Sequence, residues 1–192
     1  GFVGAPFTMA CYLTEGRGSK NWDGTRRLMH EDPATFQALL AKIAECQKPL
    51  VQALVAAGCD AVQVFDSWAS VLSTEDWAEQ CAPHTDMLLQ TARDAGAVAI
   101  HYVNGAAQHL DRMAQSPGHV LGFDWRLPIG EYALQGNLDP TALFCEEATL
   151  RRKVAAVCRD GGEQHIFNLG HGILPQVDPK QVAIVVDEVR KS

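Results

Sequence analysis

Short apolar runs alternate along the chain with longer amphipathic ones. The strand-like runs are Gly1–Ala5, Ala61–Phe65, Val98–Val103, Val120–Phe123, Tyr132–Gly136 and His165–Asn168. Most are continuous apolar stretches with little alternation, the pattern of parallel strands buried on both faces. The clearest helical stretch runs from Pro33 to about Ala57, with Phe36, Leu39, Leu40, Ile43, Leu50, Leu54 and Val55 close to one stripe. Asp32 is a good N-cap ahead of Pro33 at the first helical position, and Gly58 is a good terminator. Asp139-Pro140 and Asp178-Pro179 repeat the start signal, so both aspartates read as caps. A further helix is predicted from Thr74 to Ala95, stopping at Gly96, with Pro83 kinking or dividing it.

Strand–helix alternation means α/β, with parallel strands joined by right-handed crossovers. Six strand candidates fit either a doubly wound sheet or about six of the eight βα units of a (β/α)8 TIM barrel. No G-x-G-x-x-G follows the first strand and no G-x-x-x-x-G-K-[ST] is present, which weakens the nucleotide-binding sheet. Gly16-Arg17-Gly18-Ser19-Lys20 has the wrong spacing for a phosphate loop and suits a mobile, glycine-rich active-site loop better. The barrel is therefore preferred, with residues 1–192 as one domain. Two details fit a complete barrel poorly. Closure needs eight strands, and the connection from Asp124 to Tyr132 is short for a parallel crossover. Residues missing near that connection are one expectation. The opening run Gly1-Phe2-Val3-Gly4-Ala5-Pro6-Phe7 starts as if inside a buried strand, which predicts about 100 or more further N-terminal residues in the natural protein.

Composition narrows the field. The 192 residues carry 16 basic and 23 acidic side chains, a formal net charge of −7, and 47% are apolar. An acidic chain without a lysine or arginine tract argues against nucleic acid as a partner. No apolar run of about 18 residues and no cationic leader is present, so no membrane span and no signal peptide are expected. Cys11, Cys46, Cys59, Cys81, Cys145 and Cys158 are scattered, with no C-x-x-C pair. They read as free, mostly buried thiols in a reducing, cytoplasmic setting.

In a barrel the chemistry sits where strands end and βα loops begin. Those positions hold the run from Pro6 to Gly16, then Phe65-Asp66-Ser67-Trp68, His101-Tyr102-Val103-Asn104-Gly105, Asp124-Trp125, Gln135-Gly136-Asn137-Leu138-Asp139, and Asn168-Leu169-Gly170-His171-Gly172-Ile173. Asp66 and Asp124 are open to two readings, a functional group at the barrel mouth or a buried bracing contact. Arg126 is the one arginine beside these strand ends, and Arg17 lies in the glycine-rich loop.

Six of these segments together resemble uroporphyrinogen decarboxylase. They are G-A-P-F-T from Gly4, Y-x-x-E-G-x-G-S-K from Tyr12 to Lys20, V-F-D-S from Val64, G-F-D-W from Gly122, Q-G-N-L-D-P from Gln135 and N-L-G-H-G-I-L-P from Asn168. They occur in the family's order along essentially the whole chain. The resemblance implies a (β/α)8 barrel that works as a homodimer without cofactor or metal. It also implies removal of carbon dioxide from the four acetate side chains of uroporphyrinogen III to give coproporphyrinogen III. On it, Tyr12 matches the active-site tyrosine, Ser67 the serine that contacts a substrate side chain, and His171 the histidine after the last strand. The family's central aspartate and substrate-binding arginines belong to an N-terminal segment not among these residues.

Each of the three has a plainer reading. Tyr12 can be a packed aromatic, Ser67 part of a hydroxyl-capped turn, and His171 a brace between glycines that permit close backbone approach to a ligand. His30, His84, His109, His119 and His165 share no strand-end position and are assigned to surface or core. Two rival functions stand beside the decarboxylase. A zinc-dependent corrinoid/thiol methyltransferase of the same superfamily would want an H-x-C motif, and His101-Tyr102-Val103 lacks the cysteine. A non-catalytic porphyrinogen-binding barrel is the other.

Overall fold

The computed structural model describes residues 1–129 and 134–192. The chain forms two compact units, Gly1–His119 and Val120–Ser192.

The first unit runs β1 (Phe2–Gly4), α1 (Pro6–Glu15), α2 (Asp23–Glu31), α3 (Pro33–Ala56) and β2 (Ala61–Asp66). A 3-10 turn (Ala69–Val71), α4 (Thr74–Asp76), a π turn (Trp77–Cys81) and α5 (Ala82–Asp94) follow. The unit continues with β3 (Val98–Val103), a 3-10 turn (Ala106–His109) and α6 (Leu110–Met113). β1 pairs parallel with β2 and β2 with β3, with Gly4 opposite Phe65 and Phe65 opposite Tyr102. Val62 and Val64 of β2, Val3 and Ala99 form one core with Val51 of α3 and Leu88, Leu89 and Ala92 of α5. β3 is buried along its length except at Val98, as a two-faced strand should be. β2 instead alternates: Val62, Val64 and Asp66 are buried while Ala61, Gln63 and Phe65 are half-buried.

Helix boundaries follow the local chemistry. Asp32 accepts the Thr35 N–H at 3.1 Å, with Pro33 next, and α3 ends just before Gly58, whose φ of 97° is open to glycine. The stripe needs one correction. Leu50 is half exposed, and Val51 takes the buried place, because the period of 3.6 from Phe36, Leu40, Ile43 and Ala44 arrives at 51. Pro83 divides the next helix by way of the π turn, where the Ala82 N–H reaches Trp77 O. Pro83 has no N–H to return to the preceding turn, and the wider turn ends just ahead of it.

The second unit runs β4 (Val120–Gly122), β5 (Leu134–Leu138), a 3-10 turn (Pro140–Phe144), α7 (Glu147–Gly161), β6 (His165–Leu169) and α8 (Pro179–Val189). β4 pairs parallel with β5 and β5 with β6. Tyr132, where a fifth strand was predicted to start, lies outside the described residues. The described part of β5 continues past Gly136 to Leu138. Asp139 and Asp178 are caps, accepting the N–H groups of Thr141 and Lys180 at 2.8 and 2.9 Å. Leu138, Leu143, Leu150, Val154, Val177 and Val185 form the core. Arg151 of α7 joins Asp187 and Glu188 of α8 at 2.7 and 3.0 Å. β6 departs from the predicted burial on both faces: Ile166 and Asn168 are exposed and His165, Phe167 and Leu169 half-buried.

Six parallel strands among the described residues, of which β1, β2, β3, β5 and β6 lead into helical structure while β4 is followed by β5, give the expected class: α/β, with six strands where a (β/α)8 barrel has eight. All six cysteines are free, but only Cys11 and Cys81 are buried. Cys46 lies on the outer face of α3 and the others are half-buried, so the thiols are not mostly buried. Among the described residues no helix is long and apolar enough to cross a membrane.

Candidate functional site at the strand ends

β1 passes into α1 through Ala5 and Pro6, with Ala5 N–H bonded to Phe65 O at 2.8 Å. One face of α1 is buried through Phe7, Ala10 and Cys11, which leaves Tyr12 on the open side, 45% exposed. The helix ends at Gly16 in the left-handed region, whose N–H closes on Tyr12 O at 2.9 Å. The glycine-rich loop that follows is pinned at both ends. Glu15 Oε1 accepts the Gly24 N–H at 2.7 Å, and Ser19 Oγ accepts the Trp22 N–H at 3.1 Å.

Trp22 is the one non-glycine residue with positive φ among the described residues, at φ 55°, ψ 44°. That conformation costs an L-residue roughly 1–2 kcal/mol. It places a fully buried indole edge-to-face with the Tyr12 ring, centroids 5.2 Å apart at 79°. Trp68 meets Tyr12 at 6.2 Å and 73°, and the two indoles lie 5.0 Å apart. Ser67 is half-buried just past the end of β2, between Asp66 and Trp68. Tyr12 is thus brought against the residue that follows Ser67.

Beneath these groups Asp66 is completely buried. It accepts the Trp77 indole N–H at 2.9 Å and, at the long limit, the Thr8 hydroxyl at 3.5 Å. Burial pushes its carboxyl up to about 6, against the bonds from Trp77 and Thr8, which lower it. Trp77 in turn stacks on His101 at 6.0 Å and lies 4.5 Å from His109. His109 Nε2 donates to Ala69 O at 3.0 Å, and His101 Nδ1 lies 3.4 Å from Ser116 Oγ. Burial, with the Arg112 and His109 charges behind it, pushes His101 down to about 3. Asp66 is therefore a bracing group, and His101 is a core residue rather than a strand-end ligand.

In the second unit Asp124 is also buried and braced. Its carboxylate accepts the Arg126 backbone N–H at 2.8 Å and Arg126 Nη1 at 2.7 Å, while that guanidinium lies 4.3 Å from the Trp125 ring centre. The strand-end arginine thus has an acidic partner in its own loop. His171 is exposed in the turn after β6. The flanking glycines differ from expectation. A Cβ on Gly170 would stand 2.6 Å from the Trp125 backbone nitrogen, so that glycine admits the protein's own backbone, while Gly172 has open space around it. Tyr12 and Ser67 belong to the first unit and His171 to the second. Among the described residues no group of three or more His, Cys, Asp or Glu side chains could hold a metal ion.

Sequence reading missed the two tryptophans around Tyr12. Trp68 carried a signal, since it stands directly after Ser67 at a strand end. Trp22 carried none, because nothing local marks a tryptophan for positive φ.

The chain is 39% identical over 200 residues to a uroporphyrinogen decarboxylase from Geotalea daltonii, covering 100% of this chain and 59% of that protein. It is 41% identical over 201 residues to one from Solibacter usitatus (100% and 58%), and 44% over 200 residues to one from Frankia casuarinae (98% and 54%). The chain therefore spans a little over half the length of these relatives. The fold is similar to that of a methyltransferase from Methanosarcina mazei, TM-score 0.83 at 17% identity, covering 100% of this chain and 58% of that one. The family model described as uroporphyrinogen decarboxylase (URO-D) matches residues 1–192, and on that match the chain belongs to the uroporphyrinogen decarboxylase family.

Proposed function

We propose that this chain is the later part of a single-domain barrel enzyme that decarboxylates the four acetate side chains of uroporphyrinogen III, giving coproporphyrinogen III in haem biosynthesis, without cofactor or metal. The observation that carries this reading is the family match along the whole chain, with Tyr12 half exposed beside the end of β2 that bears Ser67. Each turnover breaks one carbon–carboxylate bond and releases carbon dioxide. The electron-rich pyrrole, first protonated at a ring carbon, accepts the electron pair; a proton then taken up at the exocyclic carbon leaves a methyl group, and loss of the ring-carbon proton restores the pyrrole. The ring itself is the electron sink, so the protein has to orient a carboxylate and stabilise charge developing on the pyrrole.

Tyr12 and Ser67 are assigned the orienting role, because hydroxyls can donate to a carboxylate without adding charge. His171, exposed in the turn after β6, is assigned to substrate binding on the family resemblance. A tetrapyrrole with eight carboxylates also requires cations. Arg126 is matched to Asp124, so those cations are assigned to residues other than Arg126. The homodimer and the cytoplasmic location are carried over from the family, and six free thiols fit a reducing compartment.

The direct test incubates the full-length protein anaerobically with uroporphyrinogen III and no added metal. Coproporphyrinogen III is the expected product, with intermediates carrying seven, six and five carboxyl groups at early times. Absence of product, or product only with an added cofactor, rejects the reading. Sedimentation of a monomer at micromolar concentration removes the dimer.

A further inference from the structure

We infer that Trp22 and Trp68 are positioning residues, which hold the Tyr12 phenol in one orientation and fix its spacing from Ser67. The inference rests on the reading of Tyr12 as a substrate-facing residue and adds the means by which it is held.

Tyr12 stands in the last turn of α1, next to Gly16, with nearly half its surface open. A phenol at such a place has several rotamers open to it, and its hydroxyl would be poorly placed. Two edge-to-face contacts from different elements, at 79° and 73°, confine the ring to one slot. Neither contact is incidental to packing economy. Trp22 reaches its place only through a strained backbone, and such strain persists where the surroundings over-determine it. The indole Nε1 atoms of Trp22 and Trp68 are both buried without a partner. A buried unpaired donor is destabilising, so the rings are placed for their shape.

Trp68 adds a link that Trp22 lacks. It follows Ser67 directly and begins the 3-10 turn Ala69–Val71, so its ring is tied to the end of β2. The position of Tyr12 is then read from the same strand end that carries Ser67. One rigid side chain thereby sets the spacing of two hydroxyls that come from separate elements. A plain core cluster would explain the packing, but not the strain and the two unpaired donors at the half-exposed edge of the unit.

The test is a double-mutant cycle on the full-length protein, with kcat and KM measured for uroporphyrinogen III in Trp68→Leu, Trp68→Phe, Tyr12→Phe and the Trp68→Leu/Tyr12→Phe pair. Trp68→Leu should lower kcat roughly 10- to 100-fold with KM little changed, as expected for lost orientation. Trp68→Phe should recover most of that loss, and the double variant should be no slower than the slower single one. The near-ultraviolet circular dichroism of the adjacent indoles should vanish in Trp68→Leu, and Trp68→Phe should regain kcat out of proportion to any regain in melting temperature. Multiplying effects in the double variant overturn the inference. So does a loss of kcat that tracks the melting temperature in Trp68→Leu and Trp68→Phe alike. Should Trp68→Leu fail to fold, Trp22→Phe and Trp22→Leu enter the same cycle. An inactive wild-type protein rejects the proposed function itself, and the inference falls with it; an active one with multiplying effects rejects the inference alone.

Discussion

The two units repeat the same strand-then-helix pattern but treat their strand ends differently. In Gly1–His119 the proposed site residue Tyr12 is held by packed rings: it lies against Trp22 and Trp68, above a buried layer in which Asp66, Trp77, His101 and His109 brace one another. In Val120–Ser192 the proposed site residue, His171, is held by backbone. His171 is exposed between two glycines, and Gly170 is fixed by its N–H to Leu138 O at 2.8 Å and by contact with the Trp125 backbone. Packing in the first unit ties the site to stability, whereas in the second the two separate. A side chain can therefore be essential to a site and carry no weight in the fold, or the reverse, according to how its strand end is built.

The largest effect is expected where that coupling is tightest. Trp77→Ala removes a fully buried indole and leaves the Asp66 carboxylate without its best donor. A loss of about 3–5 kcal/mol is expected from the cavity alone, read as a fall in the urea midpoint of the full-length protein. A loss below about 1 kcal/mol would mean that the buried layer does not brace the first unit.

Next comes the pH dependence of the same layer, where two groups oppose each other. The Asp66 carboxyl is raised by burial to about 6 from 3.8. Its contribution to stability is thus fully present below about pH 3.8 and lost as pH rises through about 6, a change of about 3 kcal/mol. His101 is lowered by burial from 6.5 to about 3. Its contribution is present above pH 6.5 and lost as pH falls toward 3, by about 5 kcal/mol. The two slopes offset between about pH 4 and 6. In Asp66→Asn the His101 contribution stands alone, so the melting temperature should fall more steeply on acidification through that range than in the parent. Parallel pH profiles would break the account.

A smaller effect is expected in the second unit. Gly170→Ala forces a Cβ to within 2.6 Å of the Trp125 backbone nitrogen, and overpacking of this kind costs about 1–3 kcal/mol. His171→Ala, one residue on, should change stability by less than about 0.5 kcal/mol because the side chain is exposed. On the proposed function it should still reduce decarboxylation. A stability loss for His171→Ala equal to that for Gly170→Ala would erase the contrast between the units.

Much of the fold was legible locally. The ends of β3, the Asp32, Asp139 and Asp178 caps, and the division at Pro83 follow from short-range chemistry that operates in any context. Legibility failed where burial depends on neighbours. Leu50 and Val51 differ by 100° around a helix axis, and only the packing partner says which faces inward. β6 carries Ile166, Phe167 and Leu169, yet its side chains are half-buried or exposed. The candidate site was legible as residues, not as surroundings. The motifs singled out Tyr12, Ser67 and His171, but their order along the chain says nothing about what holds them.

The sequence by itself determined the α/β class, the order of the strand–helix units, the positions of the helix caps, and a family membership that the ordered motifs carry. These depend on periodicity, on cap and turn chemistry, and on residue identity, all of which are local. The tertiary structure alone decided that Asp66 and Asp124 are braces rather than open carboxylates, that His101 is a core residue, and that Trp22 adopts a strained backbone to meet Tyr12. Each of those depends on which groups from distant parts of the chain share a low-dielectric space, where an unpaired charge is expensive and a ring contact is directional. No spacing along the chain encodes that.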